Sequence, residues 1–408
     1  MSHGDTAEGS RRAALAFIFV TVLLDMLALG IIIPVWPRLV VNFLSGDSVR
    51  AAEIFGLFGT AWALMQFVFS PIQGALSDRF GRRPVILISN LGEGLDYFVM
   101  ALAPTLGWLL IGRIISGATA ASISTAFAYI ADVTPPEKRA GRFGMVGAAF
   151  GIGFVLGPAI GGLLGEFSPR LPFWFAGVLG IANFAYGFIV LPESLPVERR
   201  AIFRWRQANP IGALVLLRSH PQLSGLAIIY FLGQLAHVVL PSTFVLYAGF
   251  RYGWTERAVG LTLAGVGVCS MVVQAGLVGR VVARVGERRA LITGLLFGAL
   301  GFTIYGLSPT GGWFLVGVPV MSLWGLASPA TQGLMTRLVG NSEQGQLQGA
   351  NSSITGIAGL FGPSVFTFTF AVAISPTRDW HLPGAPFLLA ALLLTAALGM
   401  AYRLARPS

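Results

Sequence analysis

Twelve apolar segments follow one another along this 408-residue chain, at about 13–37, 54–76, 84–106, 107–131, 143–165, 172–191, 221–248, 258–279, 290–308, 312–336, 347–374 and 384–405. Each is near or above the ~20 residues with which a helix crosses ~30 Å of hydrocarbon. Charged residues make up 11% of the chain and hydrophobic ones 55%, where a soluble domain is roughly 25% charged. Within a bilayer the backbone must satisfy its own hydrogen bonds, and long apolar runs do so as helices. The expectation is an all-α integral membrane protein of twelve transmembrane helices. Its 53 glycines suit helices that approach one another through small residues. The first segment is too long for the apolar core of a signal peptide and lacks a small-residue cleavage site, so it reads as a retained span.

The net charge of +10 invites a nucleic-acid reading, which its distribution excludes. Twenty basic residues fall on the side of the N-terminus and six on the other, with Arg113 left inside a span. Such a bias is the positive-inside signature, and it places both termini in the cytoplasm. No groove-reading or base-stacking motif accompanies the charge. The lone cysteine, Cys269, rules out a disulfide within the chain. The longest polar break, Pro192 to His220, divides the spans into two sets of six. It predicts one bundle over 1–191, a cytoplasmic loop over 192–220 and a second bundle over 221–408. Gly279 to Arg289 echoes Gly74 to Arg83 at the same point of the second half, with Ala283 where Asp78 would fall. Two pseudo-symmetric repeats place a substrate site at their interface, near mid-membrane.

Several groups carry mechanism. Gly74, Asp78, Arg79, Gly81, Arg82 and Arg83 form a charged turn between the second and third spans, and Asp132 ends the fourth. An acid that accepts from helix amides and pairs with arginine can latch one side of a transporter; the alternative is a solvated basic turn. Asp25, Glu93 and Asp96 are the carboxylates within spans, and Arg113 is the one intramembrane base. Counted at ~1.5 Å per residue, Asp25 and Asp96 both lie about 18 Å into the bilayer, with Glu93 shallower. Charges there line cavities, pair or exchange protons, so these four and His237 are the candidates for proton coupling. His237 reads equally as a titrating imidazole or as a neutral core residue. Asp25 and Asp96, with the amides Gln66, Gln234, Gln274 and Asn351, are the candidates for substrate contact in a mostly apolar cavity. Asn183 and Gln332 are further amides within spans. Gly153, Gly157, Pro158, Gly161 and Gly162 form a small-residue seam in the fifth span. The sequence contains no phosphate-binding loop, metal-ligand cluster or nucleophile–base pair, so neither ATP drive, a cofactor nor an enzyme is expected.

The turn GALSDRFGRRP resembles the loop signature of the major facilitator superfamily. Arg113 to Gly117 resembles its fourth-helix motif, whose arginine is linked to proton coupling, and Gly153 to Gly162 resembles the signature of its antiporters. Over nearly the whole chain the resemblance narrows to the bacterial tetracycline-efflux proteins. It runs through LLDMLALGIIIPVWPRL, WALMQFVFSP, LDYFVMA, AYIADVTPPEKRAGRFG, IIYFLGQL and GQLQG with FGP. It implies the major facilitator fold in the bacterial inner membrane, and a monomeric drug/proton antiporter that the proton gradient drives. By position Asp25, Asp78 and Asp96 match acids the family uses, and Gln66 a polar residue of its second helix. The chain departs from the family where Ser270 and Gly298 replace a histidine and an aspartate, and where Glu93 and His237 replace small residues. The expected function is proton-coupled export of an amphipathic, tetracycline-like drug. A facilitator or flippase for a metabolite or lipid, or a receptor that does not turn over, are the alternatives.

Overall fold

The computed structural model describes residues 3–120, 122–135, 139–200, 212–218, 221–340, 343–377 and 381–404. Lys138, Arg204 and the middle of the central loop lie outside them. Among the described residues there are sixteen α-helices and no strand. In order they are α1 (His3–Ile32), α2 (Trp36–Phe43), α3 (Ser48–Phe80), α4 (Arg82–Leu102), α5 (Leu106–Thr119), α6 (Ser122–Val133), α7 (Arg139–Phe167) and α8 (Leu171–Val190). The second half holds α9 (Pro221–His237), α10 (Val239–Tyr252), α11 (Glu256–Met271), α12 (Val278–Leu307), α13 (Gly311–Ser322), α14 (Ala327–Thr336), α15 (Gln344–Ile374) and α16 (Ala385–Leu404).

Eleven helical stretches among the described residues are long and apolar enough to cross a membrane. One of them, Glu256–Leu307, has 52 residues, about 78 Å at ~1.5 Å per residue and more than twice the hydrocarbon thickness. Its backbone leaves the helix at Gly286 (φ 80°, ψ 161°), a conformation open to glycine. The stretch therefore makes two crossings, and the twelve spans expected from the sequence are all present.

The first, fourth, seventh and tenth spans are interrupted. Between α1 and α2 the chain turns at Ile33–Val35, where Pro34 supplies no amide for a helical bond. Between α5 and α6 it turns at Ala120 (φ −70°, ψ 15°). Pro241 has no N–H for the carbonyl of His237, and α9 gives way to α10 there. A 3₁₀ segment, Leu323–Leu326, separates α13 from α14.

The chain forms two compact units. The first comprises Met1–Trp36 and Leu64–Asn209. In it α1 packs on α7 and α8, and α4 packs on α8, α5 and α6. The second comprises Pro37–Ala63 and Pro210–Ser408. One division falls within the central loop. The other differs from a simple cut between halves, because residues 37–63 cluster with the second unit. Within that unit Arg38 Nε lies 3.0 Å from the buried Glu256 carboxylate, and Thr60 and Ser364 share a 2.8 Å hydroxyl contact. A Cβ on Gly59 would fall 2.8 Å from Pro363, so the early segment is packed there backbone to side chain. The second unit is centred on aromatic rings. Tyr305 and Phe314 stack with centroids 4.0 Å apart, and the Tyr247 hydroxyl donates to the Tyr305 carbonyl at 2.9 Å.

Polarity is distributed as a bilayer requires. Ile189 is 80% exposed and Leu392 64%, whereas Asn90 and Asn183 are fully buried. Exposed large apolar side chains beside buried asparagines are the arrangement of helices solvated by lipid.

Candidate functional site

The first unit gathers the intramembrane charges into one buried cluster. Asp25 on α1 and Asp96 on α4 are 5% and 1% exposed, and Arg113 on α5 is 8% exposed. Arg113 reaches Asp96 Oδ2 at 3.4 Å and the Met100 sulfur at 2.9 Å. Its guanidinium lies 4.9 Å from the centre of the Trp36 ring, an aromatic face that suits a partly desolvated cation. Space for this pair depends on Gly112, where a Cβ would come within 2.5 Å of Asp96 Oδ1. That glycine carries no signal in the sequence beyond its place beside Arg113.

Asp25 has different partners. The Asn183 amide on α8 donates to its Oδ1 at 3.3 Å and to the Thr21 carbonyl at 3.0 Å. Glu93, one turn from Asp96 along α4, stands within side-chain hydrogen-bonding reach of Asp25. The sequence pairs Asp25 with Asp96 by depth; the structure instead sets Asp25 beside Glu93 and Asp96 beside Arg113. Helix rotation decides this, because depth fixes position along a helix axis and not around it. A hydrogen bond between two carboxyls needs a proton on one of them. The cluster thus joins a fixed ion pair to a site with the chemistry to hold a proton.

At the Arg82 end of the unit, Arg82 is a hub. Its guanidinium binds Asp78, donates to Ser77 Oγ at 2.7 Å, and through Nε reaches Asp132 Oδ2 at 3.0 Å. The expected charged turn is a single residue. Helix α3 runs to Phe80 and α4 starts at Arg82, so Asp78 and Arg79 are helical and Gly81 alone makes the corner (φ 107°). The acid at the helix N-terminus is Glu193, which accepts from the Arg82 and Arg83 amides at 2.9 and 3.3 Å. An anion there complements the helix dipole. Sequence reasoning missed Glu193, although LPES directly after the sixth span was available as a signal. Arg79 lies 5.0 Å over the Phe80 ring, away from the hub. Arg83 donates to the Phe188 carbonyl at 2.6 Å. Nothing lies within 4 Å of a Cβ placed on Gly74.

The second unit repeats this corner with the charges exchanged. Gly286, also at positive φ, precedes Glu287 as Gly81 precedes Arg82. Glu287 pairs with Arg337 at the end of α14 at 3.0 Å. What the two halves share is a glycine corner and a cross-helix ion pair, and this explains why the echo looks degenerate in sequence.

The fifth-span seam packs against α1. A Cβ on Gly157 would lie 2.7 Å from the Gly30 Cα, one on Gly153 2.5 Å from the Met26 Cβ, and one on Gly161 would collide with the Ile31 carbonyl. Pro158 is inside α7 and against Gly30, and Gly162 is buried. In the second unit, His237 ends α9 with its ring 5.7 Å from Trp324. Gln274 is exposed on a π-helical turn, Val272–Leu277, a distortion often found at functional positions. Gln66 and Gln234 are half-buried. Asn351 is 4% exposed, and neither atom of its amide has a protein partner. No cluster of metal-ligating side chains occurs among the described residues.

Comparison with known proteins decides the family. The family model described as Major Facilitator Superfamily matches residues 18–363 and again 276–408. The chain belongs to the Major Facilitator Superfamily. This superfamily member is 38% identical to the class C tetracycline resistance protein of Escherichia coli, over 92% of the chain and 95% of the relative. It is 35% identical to the class B protein of Escherichia coli, over 88% and 89%. Its identity to multidrug resistance protein 2 of Bacillus subtilis is 29%, over 92% and 90%. Solved structures share the fold. The human organic anion transporter MFSD10 has a TM-score of 0.71 at 24% identity, covering 96% of this chain and 99% of that one. The nucleoside transporter NupG has 0.77 at 13% identity, covering 97% and 100%.

Proposed function

We propose that this superfamily member is a proton-coupled antiporter that exports an amphipathic, tetracycline-like drug across the bacterial inner membrane by alternating access. The observation that carries the reading is the carboxyl pair of buried Asp25 and half-buried Glu93, with Asn183 donating to Asp25, beside the Asp96–Arg113 ion pair. Likeness to tetracycline resistance proteins over most of the chain supports a drug as cargo. In this mechanism a proton enters the Asp25–Glu93 pair from one side of the membrane and leaves on the other. Arg113 holds Asp96 charged in one state and is drawn toward the pair when it ionises, which couples proton loss to rearrangement. Gln66, Gln234, Gln274 and Asn351 supply hydrogen bonds to the drug within apolar surroundings. The Arg82 hub gates the cytoplasmic side, and both termini are cytoplasmic. The driving force is the proton gradient, the protein works as a monomer, and it uses no cofactor. His237 contributes a second titrating group from α9.

Purified protein in liposomes tests this. An imposed pH gradient should drive tetracycline uphill with counterflow of protons, and Asp25→Asn should abolish uphill transport. Drug movement that ignores the gradient would establish a facilitator instead, and no drug movement a receptor.

A further inference from the structure

One helical turn from the carboxyl pair, on its Arg82 side, the first unit buries a layer of polar side chains that carry atoms without protein partners. Thr21 lies four residues before Asp25 on α1, and Ser89 four residues before Glu93 on α4. Asn90 neighbours Ser89, Asn183 comes from α8, and Thr125 comes from α6. All five are at most 2% exposed. Six of their atoms have no protein hydrogen-bond partner: Thr21 Oγ1, Ser89 Oγ, both amide atoms of Asn90, Thr125 Oγ1 and Asn183 Oδ1.

The elements bring these groups to neighbouring levels. A Cβ on Gly187 would meet Leu87, and one on Gly180 would meet Gly94. Asn90, midway between Leu87 and Gly94, is therefore level with Phe184 and its neighbour Asn183. The Asn183 amide in turn reaches the Thr21 carbonyl. Ile86 on α4 and Ala126 on α6 share one apolar cluster with Ile18 and Val22, which places Thr125 among the same packed helices.

Two of these hydroxyls leave the carbonyl of their own preceding turn unused. Elsewhere in the spans, Thr119, Ser242, Thr303, Ser322, Thr331 and Thr367 each donate to the carbonyl four residues earlier, at 2.6 to 2.9 Å. Thr21 and Ser89 have the same option on their own helices and do not take it. A hydroxyl turned from its own backbone in a buried place faces another partner. Asn90 offers two donors and an acceptor to the same interior, and a buried water needs two to four such groups.

We propose that this layer is a built water site, which conducts protons between the Asp25–Glu93 pair and the Arg82 end of the bundle. Its role in transport rests on the antiport reading, but its occupancy by water does not. In each passage the carboxyl gives its proton to the adjoining water, that water passes one of its own protons onward, and one proton leaves to bulk solvent. The pair is left one unit more negative and the waters are regenerated. The charged groups acting on Glu93 in this step are Asp25, Asp96 and Arg113. Asn90, Thr21, Ser89 and Thr125 are positioning residues that hold the waters.

Two measurements test it. A high-resolution structure of the whole protein in a lipid nanodisc should show ordered density within about 3 Å of the Asn90 and Asn183 amides. A closed layer, with the Asn90 amide and the Asn183 Oδ1 bonded to protein groups and no density between them, would overturn the site. In liposomes, Asn90→Leu and the isosteric Thr125→Val should each slow gradient-driven tetracycline transport about a hundredfold, the low end of what a positioned proton-transfer path contributes. Equilibrium tetracycline binding and gradient-free exchange should stay unchanged in both variants. An unchanged gradient-driven rate in Thr125→Val and Asn90→Leu would overturn conduction. If the unsubstituted protein moves drug without protons, the antiport reading fails and conduction with it, while the density alone decides the water site.

Discussion

Among single residues, Asp78 and Asp132 divide the work at Arg82 unequally. The Asp78 side chain is 51% exposed and that of Arg82 11%, and exposed ion pairs contribute about 0–1 kcal/mol. Asp78→Asn should therefore leave the melting temperature within a few degrees, because Asp132 and Ser77 still hold the guanidinium. On the gating reading, drug export should nonetheless fall sharply, measured as accumulation in everted vesicles at matched expression. A well-expressed variant with normal export would leave Asp78 as a solvated charge. Glu193→Gln is the complementary test. It removes the anion from the N-terminus of α4 while keeping oxygen for the Arg82 amide, and should cost about 0.3–1 kcal/mol. At the charge cluster, Gly112→Ala should disturb transport more than its size suggests. Its methyl group would occupy the space of Asp96 Oδ1, so the predicted loss is in coupling of drug to proton flux and not in insertion.

At the level of whole elements, the seam of α1 on α7 sets how closely two spans approach. Gly157 meets the backbone of Gly30, so no side-chain rotation can make room for a larger residue. Gly157→Leu should destabilise the purified protein by about 1–3 kcal/mol, the usual cost of overpacking. Gly74→Ala, by contrast, should be neutral in a thermal-shift assay, since nothing lies within 4 Å of the added Cβ. The interrupted spans carry a related argument. Breaks recur in the first, fourth, seventh and tenth spans, once in every set of three. These spans carry Asp25, Arg113, Gln234, His237 and Gln332. Broken helices free carbonyls and amides near mid-span, which is where transporters place their binding groups.

Over the whole molecule, the basic asymmetry predicts an orientation that labelling can check. A cysteine at Glu198, in the polar break after the sixth span, should react only with permeant thiol reagents in intact cells. Reaction with an impermeant reagent from outside would reverse the topology. Cys269 is the chain's single cysteine, so replacing it with serine leaves the introduced thiol as the one that labels. The clustering of residues 37–63 with the second unit adds a prediction about exchange between states. The bidentate pair of Arg38 with the buried Glu256 must part if that segment is to leave. Glu256→Gln should accordingly shift the distribution between conformers, measured by distance labels on α2 and α11, with little change in total folded protein.

The sequence by itself determined the class, the number of spans and which ionisable residues lie among them. These follow from one-dimensional quantities, the length of an apolar run and the cost of a charge in hydrocarbon, and neither needs packing to be known. The glycine corner at Gly81 and the small-residue seam were legible for the same reason, since backbone freedom and small volume are properties of the residue. Which carboxylate meets which partner was decided only by the tertiary structure. Asp25 chose Glu93 and Asn183, and Arg113 took Asp96, because partners inside a bundle depend on the rotation of each helix about its axis. That rotation is set by glycine contacts such as Gly94 on Gly180 and Gly30 on Gly157. The same holds for Glu193 at the start of α4, for the exchanged charges of Glu287 and Arg337, and for the buried hydroxyls of Thr21, Ser89 and Thr125. Each is an ordinary polar residue in the sequence, given its role by neighbours more than thirty positions away.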